Sequence, residues 1–236
     1  LAKSLDLSCI EWTLDYPKLH ENPFLLKEYK KEILKISKKN NIEIPSVTLD
    51  CCMQRPFWKA QDKSVLKELI DDFKLIINSA HNIGSKLLVI PLVDNGSIDN
   101  MEEFKLLKST LFSLSEVLID KQIRIAFESD YYPAKLNEFI ENFDKNIFGI
   151  NYDSGNSAHK GFDPDEEFNL YGRRIINIHI KDRKLYGSTV RLGNGNTNFD
   201  KVFRNIFKLE YKGNLILQTA RSKIGEHYKE QQNLLE

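Results

Sequence analysis

The residues Ile-Phe-Gly-Ile-Asn-Tyr-Asp at 147–153 and Ile-Ile-Asn-Ile-His-Ile at 175–180 give the clearest indication of fold class. Both runs are rich in the β-branched and aromatic residues that are typical of buried strands. Between them, Asp163-Pro164 supplies an N-cap and a first-turn proline for a helix near 164–172. A strand, a helix and a second strand in this order predict a βαβ unit with parallel strands.

The same alternation extends along the rest of the chain. Further strand-like runs lie at 8–14, 45–49, 86–92, 123–128 and 214–219. Helical patterns lie between the runs near 24–40, 63–82, 99–120, 133–144 and 199–208, and a final one begins near 224. The alternation predicts an α/β fold with a parallel sheet covered by helices, in a single domain over 1–236.

The strand count favours a barrel. Seven strands are visible in 236 residues, whereas a closed (β/α)8 TIM barrel has eight strands and typically about 250 residues. Residues 1–7 read as the last turns of an amphipathic helix, so we expect the first βα unit to precede Leu1. An open doubly wound sheet is the alternative, but its dinucleotide-binding form needs a Gly-rich fingerprint that follows no early strand here.

Composition limits the classes of partner. The chain has 34 basic and 34 acidic residues, and this balance argues against nucleic acid or a membrane surface as the main partner. No apolar run approaches the roughly 18 residues of a membrane helix. Three cysteines make no disulfide framework and show no metal-type spacing. We therefore expect a cytoplasmic protein that acts on a small molecule, and a homo-oligomer is compatible with the sequence.

Four polar side chains share one face of the later strands. Because side chains alternate along a strand, Glu128, Asp153, His179 and Gln218 all fall on the face opposite the large apolar residues, near the carboxyl end of a strand. Active sites of barrels lie at that end. Singly, a carboxylate there is often a helix cap, and a lone histidine is more often a core residue.

Together, the four residues predict a metal site. Burying two acidic side chains side by side is costly without a cation. An oxygen-rich site with one imidazole suits Mn²⁺, Mg²⁺ or Co²⁺, and Zn²⁺ is also compatible.

Cations near the same strand ends suggest a substrate anion. Lys181, Arg183, Arg191 and Arg221 lie at or after two neighbouring strand ends, and the Gly193-Asn194-Gly195 loop leads into a helix. Such a loop and several cations could hold a phosphate or carboxylate. The alternative is that the cations form ion pairs on a solvated rim. Glu11 could bind a hydroxyl group or neutralise a cation, and Trp12 could either pack against a sugar ring or belong to the core.

The chain resembles the xylose-isomerase-like (β/α)8 superfamily of sugar and sugar-phosphate isomerases and epimerases. The resemblance covers essentially the whole chain and is carried by an ordered set of motifs: Cys-Ile-Glu-Trp at 9–12, Asn-Ile-Gly-Ser-Lys-Leu-Leu at 82–88, Ile-Ala-Phe-Glu-Ser-Asp at 125–130, Gly-Ile-Asn-Tyr-Asp-Ser-Gly-Asn at 149–156, Asn-Ile-His-Ile-Lys-Asp-Arg at 177–183, Leu-Gly-Asn-Gly at 192–195 and Leu-Gln-Thr-Ala-Arg at 217–221. It implies metal ligands at Glu128, Asp153 and His179, and a first βα unit before Leu1.

Two departures from the family pattern affect the expected mechanism. Gln218 stands where many members carry a second metal-bound Glu, and Asn156 stands where many carry a His. Gln218 can offer a carbonyl oxygen to a metal but cannot act as a base. Asn156 can hydrogen-bond a substrate hydroxyl but carries no proton that titrates near neutral pH. The metal site therefore transfers well from the family, whereas a two-base epimerase mechanism does not.

The leading interpretation is a metal-dependent isomerase or epimerase of a small sugar or sugar phosphate, acting through an enediolate-type intermediate. Glu128 is then ligand and general base, Asp153 and His179 fix the metal, and Gln218 completes the ligand set. A keto-sugar lyase (dehydratase) and a sugar-binding barrel without catalysis are the alternatives. A DNA-repair endonuclease of the same fold is disfavoured, because it needs more histidine ligands and a more basic surface.

Overall fold

Seven parallel strands form one curved sheet in the computed structural model, which describes residues 2–218. The strands of this sheet are β1 (Cys9–Thr13), β2 (Glu43–Thr48), β3 (Leu87–Leu92), β4 (Arg124–Ser129), β5 (Phe148–Asp153), β6 (Ile175–Ile180) and β9 (Leu215–Leu217). Two short antiparallel strands, β7 (Asp182–Arg183) and β8 (Thr189–Val190), form a separate hairpin. All seven predicted strands are present, with ends that differ by a few residues.

The strands follow one another in chain order from β1 to β9, and every pairing in the main sheet is parallel. Glu11 on β1 reaches His179 on β6 across the interior, with 2.7 Å between Glu11 Oε1 and His179 Nε2. Because residues on distant strands meet inside, the sheet is a nearly closed barrel. The predicted TIM-barrel architecture is therefore confirmed.

Helices cover the outside of the barrel. They are α1 (Lys30–Asn40), α2 (Asp50–Gln54), α3 (Lys63–Ile83), α4 (Met101–Ser113), α5 (Ser115–Asp120), α6 (Pro133–Ile140), α7 (Ser154–Lys160), α8 (Pro164–Tyr171) and α9 (Phe199–Lys208). None of these helices combines the length and apolar character needed to cross a membrane. Phe127 on β4 shows how the layers join, because it contacts Phe139 of α6 and also Phe143 and Phe148.

Three segments differ from the predicted elements. The helix expected at 24–40 begins at Lys30, and the helix expected at 99–120 is divided between Ser113 and Ser115. Helix α7 was not predicted, because its sequence Ser-Gly-Asn-Ser has low helix propensity. Asp153 caps α7 by accepting a hydrogen bond from the amide of Asn156, and a left-handed Gly161 ends it. The helix expected from 224 lies outside the described residues.

Candidate metal centre and cavity

Three predicted ligands meet at the carboxyl ends of β4, β5 and β6. Glu128, Asp153 and His179 are buried, and each offers a ligand atom within 4.8 Å of those of the other two. The register places Asp153 directly beside His179 on the neighbouring strand. Nδ1 of His179 faces the carboxylates, at 3.3 Å from Glu128 Oε2 and 3.9 Å from Asp153 Oδ2.

The two residues that depart from the family pattern lie beside this cluster. The side-chain amide nitrogen of Gln218 is 3.0 Å from His179 Nδ1. Asn156, in the first turn of α7, donates a hydrogen bond of 2.7 Å to Glu128 Oε1 and accepts one of 2.8 Å from Arg183. The two oxygens of Glu128 therefore have different surroundings: Oε2 faces the imidazole, and Oε1 faces Asn156.

Glu11 contacts the opposite nitrogen of the imidazole. Its Oε1 is 2.7 Å from His179 Nε2 and accepts a 2.5 Å hydrogen bond from the Thr48 hydroxyl. Its Oε2 accepts a hydrogen bond of 3.0 Å from the Asn177 side chain. The Glu11 side chain is 4% exposed, so these protein contacts surround most of it.

The pKa values of the residues in the cluster depend on the charges of their neighbours. Burial alone lowers the pKa of His179, but the charges and hydrogen bonds of Glu11 and Glu128 raise it to about 10. Burial alone raises the pKa of Glu11, but the neighbouring imidazole lowers it to about 2. Burial raises the pKa of Asp153 even though Lys181 opposes it. The carboxylates of Glu11 and Glu128 therefore favour positive charge on the imidazole, and the imidazole favours negative charge on Glu11.

The donor set fits a divalent cation. Two carboxylates and one imidazole nitrogen suit Mn²⁺, Mg²⁺, Co²⁺ or Zn²⁺. The carboxylates of Glu128 and Asp153 are buried next to each other, which is unfavourable unless positive charge lies between them. Lys181 supplies one such charge from the side, with its Nζ at 3.3 Å from Asp153 Oδ2.

An open cavity of about 1170 Å³ lies over the cluster. Its wall includes Glu128, Gln218, Asn156, Lys181 and Arg183. Among the described residues, Arg183 donates to two neutral acceptors, the Asn156 side chain and the backbone carbonyl of Gly187, and its buried Nε has no hydrogen-bond partner there. A cationic group with neutral acceptors at a cavity wall can bind an anion.

The Gly-rich loop after β8 is fixed by hydrogen bonds to a buried carboxylate, that of Asp182. Asp182, which is 1% exposed, accepts hydrogen bonds from the backbone amides of Gly195 at 2.7 Å and Thr197 at 3.0 Å. These two amides therefore point at a protein carboxylate. Arg191 is an exposed residue of the same loop and does not line the cavity. Arg221, also expected near the cavity, lies outside the described residues.

Trp12 differs in position from the expected substrate contact. Its ring packs on Phe24 at a centroid distance of 5.4 Å, and its Nε1 donates to Asn22. Since Glu11 faces the barrel interior, strand alternation places its neighbour Trp12 on the outside. The structure therefore assigns Trp12 to the packing of β1 against the 19–25 segment.

Sequence reasoning missed the polar layer beneath the ligands. Asn177 donates to Asn151 Oδ1 at 2.9 Å, and Asn151 donates to Glu128 Oε2 at 2.8 Å. Both asparagines are buried and lie two residues before a ligand on the same strand face. The alternation that identified Asp153 and His179 also selects these residues, so the signal was present in the sequence.

Comparisons with known proteins agree with the barrel fold. The model of the family described as "Xylose isomerase-like TIM barrel" matches residues 1–236. Inosose dehydratase of Clostridium botulinum (strain Eklund 17B / Type B) is 24% identical over 177 residues, and the match covers 59% of that protein. The match therefore spans about three-fifths of that relative's length.

Two solved structures show the shared fold. A crystal structure of IOLI protein with a bound zinc atom has a TM-score of 0.77 and 16% identity, and the match covers 99% of this chain and 90% of that chain. D-psicose 3-epimerase, crystallised in the presence of D-fructose, has a TM-score of 0.74 and 14% identity, with 96% and 81% covered.

Proposed function

This chain belongs to the xylose isomerase-like TIM-barrel family, and we propose that it is a metal-dependent enzyme that removes a proton next to the carbonyl group of a small sugar or sugar phosphate. The observation that carries this proposal is the buried cluster of Glu128, Asp153 and His179 at the base of an open cavity. Inosose dehydratase and D-psicose 3-epimerase, by their names, both act on polyhydroxylated carbonyl compounds.

Each residue of the cluster has a proposed role. Asp153, His179 and Glu128 would hold the cation, with Gln218 beside them. A divalent cation bound there would polarise the substrate carbonyl as a Lewis acid, which makes the neighbouring C–H more acidic. Glu128 Oε1 lies on the Asn156 side of its carboxylate and accepts that proton. Asn156 orients this oxygen and can also hydrogen-bond a substrate hydroxyl.

A single base favours isomerisation over epimerisation. Epimerisation through an enediolate requires proton transfer on both faces of the substrate, whereas aldose–ketose isomerisation needs transfer between neighbouring carbons on one face. Gln218 is an amide in the position where many relatives carry a second Glu, and it cannot accept a proton near neutral pH. We therefore assign isomerisation as the reaction.

We further propose that an anionic group of the substrate binds at Arg183 and Lys181. Both side chains line the cavity, and Arg183 donates to two neutral acceptors, Asn156 Oδ1 and the Gly187 carbonyl oxygen. A bidentate guanidinium contact suits a phosphate or a carboxylate. A phosphorylated sugar is therefore the substrate class that we expect first.

Dehydration of a keto-sugar or a keto-cyclitol is the second candidate. Its first step is the same proton removal, after which a β-hydroxyl group leaves as water instead of the proton returning. The similarity to inosose dehydratase favours it, and it also needs only one base.

The test combines solvent isotope exchange with product analysis. Purified protein with Mn²⁺, Mg²⁺, Co²⁺ or Zn²⁺ is incubated in D₂O with aldoses, ketoses, their phosphates and keto-cyclitols, and products are followed by NMR. We expect metal-dependent deuterium uptake at the carbon next to the carbonyl, with an aldose–ketose pair as products. A dehydrated product supports the second candidate. Absence of exchange with every substrate and metal contradicts catalysis, and tight sugar binding without exchange indicates a binding protein.

A further inference from the structure

The two ring nitrogens of His179 lie in different surroundings. Nδ1 faces the candidate ligands Glu128 and Asp153, whereas Nε2 faces Glu11 at 2.7 Å on the opposite side. A carboxylate can only accept a hydrogen bond, so the proton of this contact is on Nε2. An imidazole whose Nε2 keeps its proton has Nδ1 as the nitrogen that can coordinate a cation.

The contacts of Glu11 leave little of its side chain for a substrate. Oε1 is engaged by His179 and Thr48, and Oε2 is engaged by Asn177. The side chain is 4% exposed, although it lies at the base of the cavity. Three protein donors therefore fix this carboxylate before any ligand enters, which is typical of a residue that orients another one.

We propose that Glu11 is a positioning residue for the metal centre: it holds the proton on His179 Nε2 and so directs Nδ1 towards the cation. This inference rests on the proposed function, because it requires that the cluster binds a divalent cation. It replaces the expectation that Glu11 contacts a substrate hydroxyl. Carboxylates that accept from the second nitrogen of a histidine ligand fix its tautomer and ring orientation, and their removal typically costs 10–100-fold in metal affinity or activity.

Glu11→Gln tests the proposal with little change in shape. The amide can meet Nε2 with either its oxygen or its nitrogen, so the variant no longer fixes the imidazole tautomer. We expect the Kd for Mn²⁺ or Zn²⁺, measured by calorimetry without substrate, to rise by about 10–100-fold. Glu167→Gln is the matched control, because Glu167 is another buried glutamate and accepts its hydrogen bonds from Tyr152, Ser157 and Tyr171, away from His179. The Kd of Glu167→Gln for the same metal ion should equal that of the unmodified protein.

A second measurement keeps the proposal testable if Glu11→Gln does not fold. In the unmodified protein loaded with Zn²⁺, ¹⁵N NMR should identify His179 as the imidazole whose signals shift when zinc is added. That imidazole should carry a proton on Nε2 and none on Nδ1. A proton on Nδ1 overturns the proposal. Where Glu11→Gln does fold, its Co²⁺ form should also show a changed visible ligand-field spectrum, which a purely structural loss of stability leaves unaltered.

The outcomes separate this inference from the proposed function. An equal Kd for Glu11→Gln and the unmodified protein overturns the role of Glu11 and leaves the metal-dependent reaction intact. If Glu11→Gln raises the Michaelis constant but leaves the metal Kd unaltered, Glu11 binds substrate. That outcome also overturns its role as a positioning residue. An unmodified protein that binds none of the four cations defeats both.

Discussion

At the scale of single residues, the proposed chemistry depends on the difference between Glu128 and Gln218. Both side chains lie beside His179 Nδ1, but only Glu128 can accept a proton. We expect Glu128→Gln to abolish deuterium uptake into the substrate, since a general base typically contributes 10²–10⁴-fold in rate. Gln218→Ala should weaken metal or substrate binding more than it slows proton removal.

Both variants are compared at saturating metal and substrate, with uptake followed by NMR. Stereochemical inversion that survives in Glu128→Gln contradicts the single-base scheme. The second base would then be sought at His159, which lines the cavity and has a buried Nδ1 without a hydrogen-bond partner.

Arg183 provides a second comparison at this scale. Arg183→Ala removes the guanidinium group that contacts Asn156 and lines the cavity. We expect the Michaelis constant for a phosphorylated sugar to rise by at least about tenfold, while that for the unphosphorylated sugar changes little. Arg191→Ala is the matched control on the exposed loop. Equal effects of Arg183→Ala on both sugars indicate a structural role.

At the scale of elements, a buried carboxyl joins α8 to α7 and β5. Glu167 of α8 accepts hydrogen bonds from Ser157 of α7, Tyr152 of β5 and Tyr171. Burial raises the pKa of Glu167 to about 7, although these hydroxyl groups oppose the shift. Its pKa in the unfolded chain is the ordinary value of 4.5.

The sign of the resulting pH dependence follows from proton binding. Between pH 4.5 and about 7 the folded state keeps this proton and the unfolded state has lost it, so stability falls as pH rises through that range. A shift of this size corresponds to roughly 3 kcal/mol. Urea unfolding from pH 5 to pH 8 should show the decline in the unmodified protein. The difference in unfolding free energy between the unmodified protein and Glu167→Gln isolates the contribution of the Glu167 carboxyl. If the two proteins show parallel curves of stability against pH, this carboxyl does not cause the decline.

At the scale of the whole molecule, the sequence predicted the barrel and its candidate ligands because both depend on alternation along strands. Asp153 and His179 could be placed on the interior from their own strands. Trp12 could not, because the side of β1 that faces inward depends on where Glu11 finds its partners. Helix α7 depends on capping by Asp153, which outweighs the low propensity of its residues. The contact between Glu11 and His179 joins positions that are 168 residues apart, and no local pattern reports such a pair.

That separation has a kinetic consequence. Contacts between residues far apart in sequence carry a large loop-closure cost and depend on topology being established first. The imidazole on β6 meets its carboxylate on β1 only when the intervening strands are in place. In refolding from urea, helical circular dichroism should therefore recover before the capacity to bind Co²⁺, and that capacity should appear with the slowest phase. Recovery of cation binding then reports the time at which the barrel is complete.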